Sequence, residues 1–278
     1  MCGSCHDVSN PLLNWDPNSG EYVLNELDAP ATDPATLFPI ERTFSEWLLS
    51  DYNTPEGIYA PQFGDNDPYV STCQDCHMRT ITEAGGAFGH TLVTRADMSI
   101  HDLIGGNTWV AQTLPLHPEF GDDFTGPAGE LRAQALISGT IHARYMLQNA
   151  ATMLAWRQAD QLYVRVQNET GHKLATGYPE GRRMWLQVEG YDDGNNLVYS
   201  SGAYNVVTGE LAGYGTDPNL KVWEMKQGLT DSWAAQLGLT AGPTFHFILN
   251  NITLTDNRIP PRGYDYAAFL AAGDGRRA

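Results

Sequence analysis

Residues 128–168 read AGELRAQALISGTIHARYMLQNAATMLAWRQADQLYVRVQN, and the period of the sequence changes inside this stretch. The part from 128 to 157 is rich in Ala, Leu, Met, Gln and Arg, with Gly139 as its one weak interior point. These are good helix formers, so the run predicts the main helix of the chain. Beyond it the pattern alternates or becomes β-branched and aromatic. QLYVRVQN (161–168), RMWLQVEGY (183–191), NLVYSSG (196–202), LKVWEMK (220–226) and TFHFILNN (244–251) are separated by turn signals such as DDGNN and predict strands. The simplest arrangement for them is a small antiparallel sandwich.

Upstream of the helix the chain is rich in turn signals: DPNSG, DAPATDP, GDNDP, HPEFGDD and TGPAG. One short helix is expected in ERTFSEWLLSDY (41–52), where Phe44, Trp47 and Leu48 share a face. The expected fold class is therefore α+β. A loop-rich, partly helical region over 1–158 is followed by a β-rich, sandwich-like domain over 159–278.

The charge narrows the function. Lys+Arg 16 against Asp+Glu 33 gives a net charge of −17. Phosphate binding needs clustered cations, so nucleic acid is excluded as a partner. An acidic exterior suits basic partners. No apolar run reaches the roughly 18 residues of a membrane-spanning helix, and the residues from Met1 onward do not read as a secretory signal.

All four cysteines lie in two copies of one motif: Cys2, Cys5, His6 and Cys73, Cys76, His77. Positions i and i+3 share a helix face, with i+4 beside them. Two thiols so placed can add to the two vinyl groups of a haem, and the following imidazole can ligate its iron. That is the reading of C-x-x-C-H as a c-type haem attachment site. Histidine is 8 of 278 residues, so its presence after both pairs by chance is roughly a one-in-a-thousand event. A four-cysteine zinc site gives no reason for those histidines. A thioredoxin-like dithiol needs a βαβ setting that this half lacks, and two disulfides explain still less. Two covalently bound haems are the expected cofactors.

Each iron needs a sixth ligand or keeps an open position. His90, His101, His117, His142, His172 and His246 remain, with Met78 and Met98 near the second motif. His101, 24 residues after His77, leads, because a loop could fold back over the ring. His142 projects from the long helix, and His172 sits in a turn between two strands. Arg182 and Arg183 could neutralise haem propionates. His90 and His117 are weaker candidates in loops. His246, between Phe245 and Phe247 on an expected strand, reads as structural.

The runs CGSCHDVSNP (2–11), CQDCHM (73–78), R-x-D-x-x-x-H (95–101) followed by GGN, TGHKLATGYPEGRRMW (170–185) and DNRIPPRG (256–263) together resemble a group of bacterial multihaem c-type cytochromes, over residues 1 to about 265. The resemblance implies that the CxxCH residues attach haem, that His101 is a distal ligand, and that the GHK segment begins a C-terminal β domain. Ala175 departs from the family, which usually has proline there. Family members carry a signal peptide and further CxxCH motifs upstream and continue beyond DNRIPPRG. The chain is thus expected to be an internal piece of a longer cytochrome, incomplete at its C-terminus, and the native protein periplasmic, extracellular or on the cell surface.

The expected function is electron transfer through bis-His c-type haems, with redox proteins or neighbouring multihaem cytochromes as partners. The alternative is a multihaem oxidoreductase acting on a small nitrogen or sulfur compound at a five-coordinate haem, with Arg79, Asp97 and Asp102 as candidate groups. A third idea, compatible with the first, makes the β half a docking module that anchors the chain to a partner or to a copy of itself. Tyr163, Trp185 and Trp223 are its aromatic strand residues.

Overall fold

The computed structural model describes residues 2–26, 28, 34–64, 67–85, 93–101 and 105–271. Helices and small antiparallel sheets are both present, with no barrel among the described residues, so the fold is α+β and rich in strands. No described helix is long and apolar enough to cross a membrane. The chain divides into two compact units. One is built from residues 1–49, 172–260 and 265–278, the other from 50–171 and 261–264. The boundary expected near 158 is not where the units part.

The first unit begins with a sheet where the sequence suggested loops. Strand Ser9–Asp16 pairs antiparallel with Glu21–Leu24 on one side and Leu37–Pro39 on the other. The turn between the first two is set by DPNSG. Asp16 accepts the N–H of Asn18 and the hydroxyl of Ser19, each at 2.9 Å. Gly20 takes φ +71°, a conformation that favours glycine. Leu13, Tyr22 and Phe38, one from each strand, are buried together, with Trp15 and Trp233 packed against them. Tyr22 meets Trp15 and Phe38 edge-on, with ring centroids 5.1 Å apart in both cases.

The larger sheet centres on Val222–Leu229, which pairs antiparallel with Arg183–Trp185, Gly242–Pro243 and Ile252–Asp256. Two buried amides tie it and its neighbourhood to the N-terminal sheet. Gln227 Nε2 donates to the carbonyl of Pro39 at 2.7 Å, and Asn251 Nδ2 donates to that of Tyr22 at 3.2 Å. The N-terminal 49 residues therefore belong with the β-rich half. The expected strand at 244–251 is a turn: Leu249 and Asn250 N–H both bond the carbonyl of His246, at 2.7 and 3.2 Å. Its aromatic alternation faces outward, Phe245 being 73% exposed, while Asn250 is buried and bonds back to Thr244. RMWLQVEGY likewise breaks into Arg183–Trp185 and Val188–Tyr191.

A buried ionic cluster fastens this unit. Helix Thr43–Leu48 carries Glu46, which is fully buried. Its carboxylate meets Arg258 Nη2 at 2.9 Å, the backbone N–H of Lys173 at 3.0 Å and the Thr176 hydroxyl at 2.7 Å. Arg258 also grips Asp256 through Nε (2.9 Å) and Nη2 (3.0 Å), and Asp256 accepts from Lys173 Nζ at 2.8 Å. Lys173 Nζ lies over the Phe269 ring, 4.5 Å from its centroid. A two-way backbone bridge, Leu174 with Ile259, closes the assembly; the Leu174–Ala175 peptide is cis.

In the second unit the long helix spans Gly126–Asn149 and stops well short of residue 157. Residues Ala151–Gln158 are a strand, paired residue for residue with Gln161–Asn168 from Ala151↔Asn168 to Gln158↔Gln161. Asn149 is a weak helix former. The ladder offered by QLYVRVQN outweighs one or two further helical turns. The turn, with Ala159 at φ +52°, lacks the glycine that usually signals a hairpin. Tyr52 is buried nearby in the same unit and donates to the carbonyl of Glu169 at 2.6 Å; Glu169 also pairs with Arg262.

Burial by itself raises the Asp256 carboxyl. The hydrogen bonds and charge of Arg258 and the charge of Lys173 outweigh that and hold it well below its usual 3.8. A carboxylate depressed in the folded state contributes stability above about pH 4 and loses it as pH falls toward the folded value. Asp256→Asn is expected to destabilise the fold by about 3–5 kcal/mol, because Lys173 and Arg258 lose a buried partner. Urea titrations should show this at pH 7, with a shallower loss of stability between about pH 4 and 2 than in the wild type. Equal stability of the two at pH 7 would remove the cluster from this role.

Candidate functional site

The two CxxCH motifs lie in different units. In the first, Cys2–Ser4 is one turn of 3-10 helix. The N–H groups of Cys5 and His6 both bond the carbonyl of Cys2, at 3.0 and 2.9 Å, so the motif is wound as a single turn. Gly3 belongs there for a steric reason, since a Cβ at that position would lie 2.6 Å from the Phe44 ring. Cys2 is half-buried and Cys5 exposed, both as free thiols. His6 Nδ1 faces Glu41 Oε1 at 3.5 Å.

In the second, helix Cys73–His77 starts after Thr72. Asp75 folds back to accept the N–H groups of Ser71 (3.0 Å) and Thr72 (2.8 Å), which satisfies donors the helix start would leave open. Burial, then the negative charge of Asp75 and the neighbouring Cys73, push the Cys76 thiol up to about 12. The Tyr52 hydroxyl is also pushed up to about 12, first by burial; Arg262 opposes this and Cys76 adds to it.

The helix leads directly into a hairpin, Thr80–Gly85 with Val93–Ser99, in register Thr80↔Ser99 and Ile81↔Met98. The N–H of Ile100 bonds the carbonyl of Arg79 at 3.1 Å. His77 and His101 thus flank the same end of one hairpin. A strand pair, where a loop was expected, brings the chain back. In the R-x-D motif, Arg95 Nε and Nη2 grip Asp97 at 3.0 and 3.1 Å, and Arg95 holds that carboxyl below its usual range.

The other expected residues are dispersed. His142 is half-buried on the long helix, near exposed Ile137, Ile141 and Tyr145. His172 sits in the loop between Gln161–Asn168 and Arg183–Trp185. Burial pushes its imidazole below the ordinary value, against the pull of Glu46 and of the Lys173 carbonyl, which lies 3.2 Å from Nδ1. His117 stacks on Phe120 with centroids 5.0 Å apart, and His246 is exposed in its turn. His90 and Asp102 lie outside the described residues. Arg182 donates to the carbonyl of Thr176 at 2.6 Å. Arg183 lies 3.7 Å from Glu224 and over the Tyr214 ring. Both arginines thus have partners within the β-rich unit.

Glu41 escaped the sequence reading, and so did the cluster of Glu46, Lys173, Asp256 and Arg258. Its visible signal was a set of charges set among Gly, Pro and apolar residues in GHKLATG and DNRIPP. The donor set at each motif, two thiols one helical turn apart and then an imidazole, fits covalent haem attachment. Compared with protein-family models, curated proteins and solved structures, the chain matches none.

Thiol chemistry distinguishes the motifs in the haem-free chain. With its pKa near 12, Cys76 has about one thiolate in 10,000 at pH 8, whereas Cys5 is open to solvent. Iodoacetamide at pH 8 is expected to alkylate Cys5 well before Cys76, read by peptide mass spectrometry, with the difference vanishing in urea. Equal rates in the folded chain would contradict the half-buried setting of Cys76.

Proposed function

We propose that this chain transfers electrons through two covalently bound c-type haems, as a multihaem cytochrome of the bacterial family that its motifs resemble. Cys2 with Cys5 and Cys73 with Cys76 are the attachment thiols, and His6 and His77 the proximal ligands. The observation that carries the reading is the hairpin beside the second motif. It returns His101 to the end at which His77 sits, with Arg79 and Ile100 hydrogen-bonded between them. Imidazoles on both faces close the coordination and favour electron transfer over substrate binding. A bound haem supplies a one-electron iron couple. The polypeptide supplies the rest: thioether anchors, imidazole ligands, and apolar side chains such as Ile137, Ile141 and Met153 that stand at the surface of the second unit and suit a porphyrin face.

On this reading the native protein works outside the cytoplasmic membrane. Its partners are redox proteins, neighbouring multihaem cytochromes or further copies of itself. His142 and His172 remain candidate ligands. The oxidoreductase reading needs acid–base groups free to face a substrate. Asp97, one of its three candidates, is already gripped by Arg95.

Protein matured in a host competent for c-type haem attachment should stain for haem on a denaturing gel. Replacing Cys73 and Cys76 together by Ala should halve the haem per chain. His101→Ala is expected to turn one haem high-spin and able to bind carbon monoxide, while the wild type stays low-spin and unreactive. A chain without haem stain would refute the proposal; an unchanged spectrum in His101→Ala would remove His101 as a ligand.

A further inference from the structure

The geometry around the first motif points to Glu41 as the positioning residue for His6, an inference that rests on haem attachment at Cys2 and Cys5. Glu41 occupies the Nδ1 side of the imidazole, so that iron would be ligated through Nε2 and that ligand kept electron-rich. His6 Nδ1 and Glu41 Oε1 are 3.5 Å apart, with the histidine side chain 52% exposed and the glutamate 7% exposed. The acceptor is therefore held by the protein interior, while the imidazole stands at the surface.

The pairing is built into the backbone. Val8 and Glu41 exchange N–H···O=C bonds of 3.0 Å, two residues beyond His6. The N–H of Phe44 bonds the carbonyl of His6 at 2.9 Å. Asp7 accepts the Ser45 hydroxyl at 2.7 Å and the Ser45 N–H at 3.3 Å. Residues 6–8 are thus fastened to 41–45 on either side of the imidazole, fixing its distance from Glu41.

The carboxylate is fixed in turn. Thr43 Oγ1 donates to Glu41 Oε1 at 3.1 Å, and the Thr176 hydroxyl, whose oxygen lies 2.9 Å from that of Thr43, donates to Glu46. The two hydroxyls therefore stand side by side between Glu41 and the Glu46–Arg258 pair, each spending its proton on one carboxylate. A carboxylate on the second nitrogen of a ligating histidine fixes its tautomer and raises its basicity. A more basic imidazole favours ferric over ferrous iron, so Glu41 lowers the potential of the first haem and leaves the second alone.

The test is a potentiometric titration of the haem-loaded chain, wild type against Glu41→Gln. The expected result is a rise in one midpoint by about tenfold in the one-electron equilibrium, or ~59 mV, with the other midpoint and the haem content unchanged. Thr43→Val keeps the charge and removes only its tether, so a smaller shift is expected. Unchanged midpoints in Glu41→Gln, or an equal rise in Thr43→Val, would overturn the assignment. Should Glu41→Gln fail to fold, proton NMR of the wild-type ferric protein decides. A slowly exchanging His6 Nδ1 proton supports the pairing, and rapid exchange overturns it. Loss of haem from the peptide bearing Cys2 and Cys5 in the wild type, seen by mass spectrometry, would instead refute the haem reading itself.

Discussion

The unit that carries the first CxxCH motif depends on the carboxylate of Glu46. Removing a carboxylate fully from water is costly, and a single ion pair does not reliably offset it. Here the offset comes from four directions: the Arg258 guanidinium, the Lys173 amide, the Thr176 hydroxyl and, through Arg258, the charge of Asp256. The four partners come from two stretches of chain, both distant from Glu46 in sequence. Satisfying Glu46 therefore forces residues 173–176 and 256–258 onto the helix that contains it. The apolar packing of Leu13, Tyr22 and Phe38 adds stability without direction; the ionic cluster supplies geometry. The loop bearing His172 and the residues tethering Glu41 inherit their positions from that one burial.

Local signals in the sequence were readable where a segment could satisfy itself. QLYVRVQN forms a strand over the residues its alternation indicates, and the Cys-Cys-His spacing is wound into single turns at both motifs. Reading failed where a distant partner decided the outcome. The segment after Asn149 looks helical by composition but finds a strand to pair with. TITEAG and VTRADMS carry weak strand signals, being mixed with glycine and charge, yet form the hairpin beside the second motif. The grouping of the N-terminal sheet with the β-rich half rests on bonds such as Asn10 to Ile248, 238 residues apart, and no periodicity reports on such contacts.

The two motifs share a spelling but not surroundings. The first lies beside a buried carboxylate in the β-rich unit, with one thiol open to solvent. The second lies among groups whose ionisation is suppressed by burial, the Cys76 thiol and the Tyr52 hydroxyl. A carboxylate beside the imidazole in one neighbourhood and burial of the thiol and phenol in the other set the two motifs apart.

The division of the chain has a further meaning. Residues 50–171 interrupt the first unit and leave it close to where they entered, since the Ser50 hydroxyl reaches the carbonyl of Gly171 at 3.5 Å and Tyr52 bonds that of Glu169. A segment whose two ends meet can be lengthened, shortened or exchanged without pulling apart its host. The stretch with the second motif is in this sense a cassette, pinned by Pro261–Tyr264. A polypeptide organised this way can exchange the inserted stretch while the scaffold that receives it stays the same.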